Sequence, residues 1–170
     1  MQTSSNENFV FLVLQTEFLI QLDGAATGEN ERILIVGATN RPQELDEAAR
    51  RRMVKRLYIP LPELEARIEI LNNLLRSEKT DVTDQQILTI GQMTDGFSGA
   101  DMKTLCHEAS MGPIRSIPSS QMGMVDVNEV RPFNYSDFQE ALNCVRPSVS
   151  QNDLKLYVDW DRTYGSGAGK

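Results

Sequence analysis

Cysteine is scarce in this chain of 170 residues: only Cys106 and Cys144 occur, with neither a CxxC pair nor a metal-ligand spacing. A disulfide scaffold and a zinc module are therefore excluded. Both thiols lie in apolar helical patterns and are expected to be buried, in a reducing compartment. Histidine occurs once, at His107, so no histidine pair can share a proton or a metal. Excess positive charge is absent as well. Seventeen Lys and Arg stand against 24 Asp and Glu, a net charge of −7, which argues against a general nucleic-acid binder because phosphate contacts need a basic face. No apolar run approaches the roughly 20 residues that cross a bilayer. The short run 9–14 has no basic segment before it and no small-residue cleavage site after it, so it does not read as a signal peptide. There are no internal repeats, and low complexity is confined to the last five residues.

What is present is an ordinary globular composition, 40% hydrophobic and 24% charged, with enough length for one good-sized domain. The chain is organised around residues 33–56. Ile33-Leu34-Ile35-Val36 reads as a strand buried on both faces of a parallel sheet. Its polar end, Thr39-Asn40, would emerge at the carboxyl edge, where α/β proteins bind ligands. Arg41-Pro42 stops it, and Glu44 to Met53 reads as a short helix ending in Arg50-Arg51-Arg52.

Around this stretch, the run 9–14 merges with 16–22 into one amphipathic helix pattern closed by Gly24, and 25–32 is a polar loop. Lys55 to Ile59 alternates as a second strand would. Pro60-Leu61-Pro62 then ends the sheet portion. Helices are expected from Pro62 (stripe Leu64, Ile68, Leu71, Leu75), from the capping box at Thr83 (Ile87, Ile90, Met93) and from Ser98 (Met102, Leu105, Cys106, Ala109). The third ends or bends at Gly112-Pro113. Another is expected from a capping box at Ser136 (Phe138, Ala141, Leu142, Val145), and a last one from Ser150 (Leu154, Tyr157, Trp160).

Gly37-Ala38-Thr39-Asn40-Arg41-Pro42, Leu45-Asp46-Glu47-Ala48 and Arg51-Arg52 resemble the second region of homology of AAA ATPases. The continuation Val54-Lys55-Arg56-Leu57-Tyr58 resembles the microtubule-severing branch of spastin, katanin and fidgetin. The run Leu105-Cys106-His107-Glu108-Ala109-Ser110-Met111-Gly112-Pro113-Ile114-Arg115-Ser116 is most similar to fidgetin-like proteins. The resemblance covers about 16–170. It implies an α/β fold: a partial AAA parallel-sheet subdomain (16–60), an all-helical lid (61–146), and a C-terminal helix and flexible tail (147–170). Residues 1–15 are not family-like. The Walker A loop, the Walker B acidic strand and the pore loops are missing, so the chain is identified as a carboxyl-terminal piece of an AAA module. Gly165-Ser-Gly-Ala-Gly-Lys170 echoes a P-loop but has the wrong spacing and no Ser or Thr after the lysine. Residues 11–17 lack the Asp-Glu pair of a Walker B strand.

The resemblance also assigns roles. Asn40 resembles sensor 1, whose amide orients the attacking water beside a γ-phosphate. From spacing alone, Asn40 reads equally as a turn former that bonds its own backbone. Arg51 and Arg52 resemble the arginine fingers that reach the ATP of an adjacent subunit. Without the family, the same run reads as a solvated basic helix end or a small nucleic-acid patch over residues 50–56. Arg50 stands where some relatives carry an apolar residue. Gly99 and Ala100 resemble the sensor 2 region, where a helix start can approach a base or phosphate closely, although they also suit a plain helix N-terminus. Asp101 reads as structural, Tyr157 and Trp160 as packing anchors, and Glu44, Asp46 and Glu47 as first-turn charges. No metal ligands are assigned.

The implied function is a fragment of an ATPase that couples ATP hydrolysis in a hexameric homo-oligomer to remodelling or severing of a protein polymer, microtubules above all. Fidgetin-like relatives add recombination proteins as partners and the nucleus beside the cytoplasm. The alternative is a non-catalytic module that docks on intact AAA subunits. ATP and Mg²⁺ belong to the parent module, and neither is expected to bind well to this chain alone. No membrane partner is implied.

Overall fold

The computed structural model describes residue 20 and residues 34–121, 125–126 and 129–167. The helix expected over 9–22 (Ile20 apart), the loop expected over 25–32 and the start 1–15, expected not to be family-like, lie outside the described residues. The chain divides into two compact units, Met1–Tyr58 with Lys155–Lys170, and Ile59–Leu154.

In the first unit a 3-10 turn, Pro42–Glu44, is followed by helix α1, Glu47–Arg52. The single helix expected from Glu44 is thus broken. Asp46 takes the N-cap position, accepting the Ala49 N–H at 2.6 Å, and an N-cap residue has non-helical backbone. The strands expected over 33–36 and 55–59 are not formed by the described residues. Leu34 and Val36 are 86% and 83% exposed. A β-branched segment becomes a buried strand only when neighbours supply its ladder bonds, and none of the described residues does so.

The second unit is helical: α2 (Leu64–Leu75), α3 (Asp84–Met93), α4 (Gly99–Ser110), the short α5 (Gly112–Arg115) and α6 (Tyr135–Cys144). The last helix, α7 (Gln151–Tyr164), opens at Ser150, whose Oγ accepts the Asp153 N–H at 3.2 Å. Thr83 with Gln86, and Ser98 with Asp101, form reciprocal capping boxes. The α6 box belongs to Asn134 and Asp137 and not to Ser136. An isolated parallel bridge, Thr80 with Phe133, ties the segment before α3 to the segment before α6.

The helices close over Leu71, Leu75, Ile87, Ile90, Phe97, Met102, Leu105, Cys106, Ala109, Phe133, Phe138 and Ala141. Met93 is not among them and is 52% exposed. The buried stripe of α3 runs Ile87, Ile90, Gly91 and on to Thr94, the i, i+3, i+4, i+7 face, and Met93 falls off it. Gly91 is small because α2 crosses there: an added Cβ would meet Ile68 Cγ1 at 3.0 Å.

The two thiols differ. Cys106 is buried, and burial pushes it up to about 12, with Glu78 adding to the rise. Cys144 is exposed, against expectation, because it ends α6 facing away from the core. At pH 8 a thiol reagent should therefore label one cysteine per native chain, Cys144, and a second only after denaturation. Mass spectrometry of the labelled peptides checks this.

Candidate functional site

Asn40 sits at a bend and is exposed. The turn chemistry it was a candidate for is carried by its neighbour: Thr39 Oγ1 accepts the Arg41 N–H at 3.0 Å. The Asn40 backbone carbonyl accepts the Tyr157 hydroxyl at 3.0 Å. Its side-chain amide has no hydrogen-bond partner among the described residues.

The three consecutive arginines divide by direction. Arg50 turns inward. Its Nη1 donates to the Leu45 carbonyl at 2.6 Å and its guanidinium lies 5.0 Å from the centre of the Tyr164 ring. Arg51 and Arg52 turn outward and are exposed. Arg51 pairs with Glu47 at 2.5 Å, with both side chains more than half exposed, at 77% and 68%. Arg52 Nη1 reaches the Ala48 carbonyl at 3.3 Å. Arg56, named from the sequence only within a motif and the 50–56 patch, holds this segment together. Its Nη1 donates to the carbonyls of Arg50 (2.6 Å) and Met53 (3.0 Å), and its Nε to the Tyr164 carbonyl (2.6 Å). The signal for it was a basic residue just past a helix end, where the last carbonyls lack partners. Glu47, Arg50, Arg51, Val54, Arg56 and Tyr164 line an open cleft of about 380 Å³. It presents three guanidinium groups against one carboxylate, a setting for an anionic group such as phosphate.

Gly99 and Ala100 are the first residues of α4, in the second unit, and both are exposed. Asp101 is structural, as expected. Its Oδ2 accepts the Ser98 N–H (2.8 Å), the Ser98 hydroxyl (2.8 Å) and the Ser148 N–H (3.3 Å). Burial works to raise its pKa, but these hydrogen bonds outweigh it and hold the carboxyl below the usual range. Gly99 has no such internal duty: a Cβ there would meet nothing within 4 Å. Gly99→Ala should leave the thermal midpoint unchanged or raise it slightly, since its backbone does not need glycine. If α4 opens against a nucleotide, the same variant weakens nucleotide affinity in the assembled protein, which a binding titration beside the melt reads directly.

Among the described residues no group of three or more His, Cys, Asp or Glu could hold a metal ion, and no helix is long and apolar enough to cross a membrane.

Three family models match in succession. Residues 2–61 match the AAA model (ATPase family associated with various cellular activities), 84–129 the AAA+ lid domain, and 118–165 the Vps4 C terminal oligomerisation domain. The chain belongs to the AAA family. Within it, the chain is 56% identical over 154 residues to Fidgetin-like protein 1 of Rattus norvegicus, covering 91% of this chain and 23% of that protein. A solved FIGL-1 AAA domain in complex with ADP is 51% identical with a TM-score of 0.81, over 89% of this chain and 52% of that one. A katanin structure, solved for its self-assembly, is 32% identical with a TM-score of 0.73, over 86% of this chain and 51% of that one. The chain thus spans about a quarter of the length of the curated relatives it matches. Its architecture is that of a partial AAA α/β subdomain, a helical lid and a C-terminal helix.

Proposed function

We propose that this segment supplies the γ-phosphate-facing residues, the lid and the C-terminal helix of a hexameric AAA ATPase that remodels or severs a protein polymer, with microtubules as the substrate. Asn40 orients the attacking water. Arg51 and Arg52 reach the ATP of the neighbouring subunit and stabilise transition-state charge, while Gly99 and Ala100 line the nucleotide. One observation carries the reading. Thr39 makes the turn and Arg50 makes the packing contacts, while Asn40, Arg51 and Arg52 are exposed, Arg51 paired with Glu47 and Arg52 bonded to the Ala48 carbonyl on the helix surface. A ligand-seeking role accounts for that division.

Asn40, Arg51 and Arg52 suit the terminal phosphate of a nucleotide, and Gly99 and Ala100 a close approach to another part of it. The sequence lacks a Gly-rich loop to cradle phosphates and the acidic pair that would hold Mg²⁺. ATP with Mg²⁺ supplies the transferable phosphoryl group when bound; this chain's own groups orient water and offset charge. The second reading, a module that docks on intact AAA subunits without hydrolysing ATP, draws on the same outward arginines. By either reading the chain alone binds a fluorescent ATP analogue poorly with Mg²⁺ present. Mixed with the FIGL-1 AAA domain, it should co-elute in ATP and separate without nucleotide. Tight binding with turnover by the chain alone would refute both readings. A rise in phosphate release in the mixture selects the first, and a fall selects the second.

A further inference from the structure

We propose that Tyr157 and Tyr164 are positioning residues, one stripe of α7 that fixes both the Asn40 turn and the arginine segment. This inference rests on the reading of those residues given above. Tyr157 and Tyr164 lie two turns apart on one helical face, about 10 Å along the axis. At the first point the Tyr157 hydroxyl donates to the Asn40 carbonyl at 3.0 Å, and its ring lies 6.5 Å from that of Tyr58. That bond holds the backbone of Asn40 and leaves its side-chain amide outward.

At the second point the contacts are denser. The Tyr164 carbonyl accepts Arg56 Nε at 2.6 Å, and the Tyr164 ring underlies the Arg50 guanidinium at 5.0 Å. The chain then turns at Gly165, whose N–H donates to the Asp161 carbonyl at 2.7 Å. A Cβ at Gly165 would overlap that carbonyl at 2.5 Å, so only glycine fits. The turn brings Ser166 alongside Arg56. Ser166 N–H donates to the Arg56 carbonyl at 2.7 Å, Arg56 N–H to Ser166 Oγ at 3.1 Å, and Ser166 Oγ to the Val54 carbonyl at 2.8 Å. Arg56 in turn caps the carbonyls of Arg50 and Met53 at the end of α1. Between the two points Trp160 Nε1 and Asp161 Oδ1 are buried without hydrogen-bond partners among the described residues. Trp160 acts instead through its ring, whose centre lies 5.4 Å from that of Tyr164. A surface helix ending in adjacent arginines would otherwise fray, and fingers must be placed to within about an ångström to act.

The test titrates the full chain into the FIGL-1 AAA domain whose residues aligned with Arg51 and Arg52 are replaced by alanine, and follows phosphate release. Positioning acts on the plateau rate; a docking or folding role acts on the half-maximal concentration or the melt. Tyr157→Phe removes only a hydroxyl, and Tyr164→Ala removes a ring. Each is expected to lower the plateau roughly tenfold or more at an unchanged half-maximal concentration. Tyr164→Phe, which keeps the ring and the carbonyl, restores it. Plateaus unchanged in Tyr157→Phe and Tyr164→Ala would overturn the positioning role. If the wild-type chain stimulates and the chain with Arg51 and Arg52 replaced does not, that failure leaves the underlying reading standing. Absence of stimulation by the wild-type chain would overturn both.

Discussion

Replacing Arg51 and Arg52 together with alanine is expected to remove at least about a thousandfold of the hydrolysis this chain promotes on a neighbouring subunit, the usual scale of a lost arginine finger. The fold should barely notice. The Arg51–Glu47 pair is exposed on both sides, and such pairs are worth about 0–1 kcal/mol. Arg52 is exposed on the last turn of α1, where its bond to the Ala48 carbonyl is long at 3.3 Å and alanine is the better helix former. Arg50→Ala should behave in the opposite way. It removes the donor to the Leu45 carbonyl and the contact over Tyr164, and so lowers the melting point of the first unit. Lysine at 51 and 52 keeps the charge and loses the planar fork, so its rate falls between wild type and alanine. Phosphate release at saturating chain, beside a thermal melt of each variant, separates the two classes.

Gly112→Ala should unfold the second unit more readily, by about 1–3 kcal/mol, the range for depriving a buried polar group of its hydrogen bonds. A Cβ at Gly112 would overlap the Asp137 carboxylate. That carboxylate cannot yield without loss. It accepts both Arg131 guanidinium nitrogens, at 2.7 and 2.8 Å, and the Asn134 N–H at 2.8 Å, and its side chain is 4% exposed. Moving it breaks the α6 capping box and the bidentate pair together. Urea unfolding followed by far-UV circular dichroism measures the loss, with Gly99→Ala as the matched control, where a Cβ meets nothing.

Local chemistry made parts of this fold legible in sequence. The Thr83 box, the helix start at Ser98 and the stripe Met102, Leu105, Cys106, Ala109 need only neighbours within a turn or two. The failures share a longer range. Ser136 and Asn134 both offer a cap, and the choice fell to Asn134 because Arg131 anchors the Asp137 of its box. Arg67, which the sequence did not single out, is buried, since the carbonyls of Gly91 and Pro62 and the carboxylate of Asp95 receive it. The strand expected over 33–36 depended on partners that the described residues do not provide. In the candidate site, motif resemblance singled out Asn40, Arg51 and Arg52 as a group. It set Arg50 apart from them but could not say what Arg50 packs on, nor give a role to Arg56, whose Tyr164 partner lies 108 residues away.

The central claim is that this chain brings the outward residues Arg51 and Arg52 to a nucleotide held by another subunit. The direct measurement is phosphate release on adding the wild-type chain to the FIGL-1 AAA domain stripped of its own aligned finger arginines. The account predicts no release from the chain alone, little from the stripped domain, and a saturable rise on mixing that the chain carrying Arg51→Ala and Arg52→Ala does not produce. Hydrolysis by the chain alone, or an equal rise with the doubly substituted chain, would contradict it.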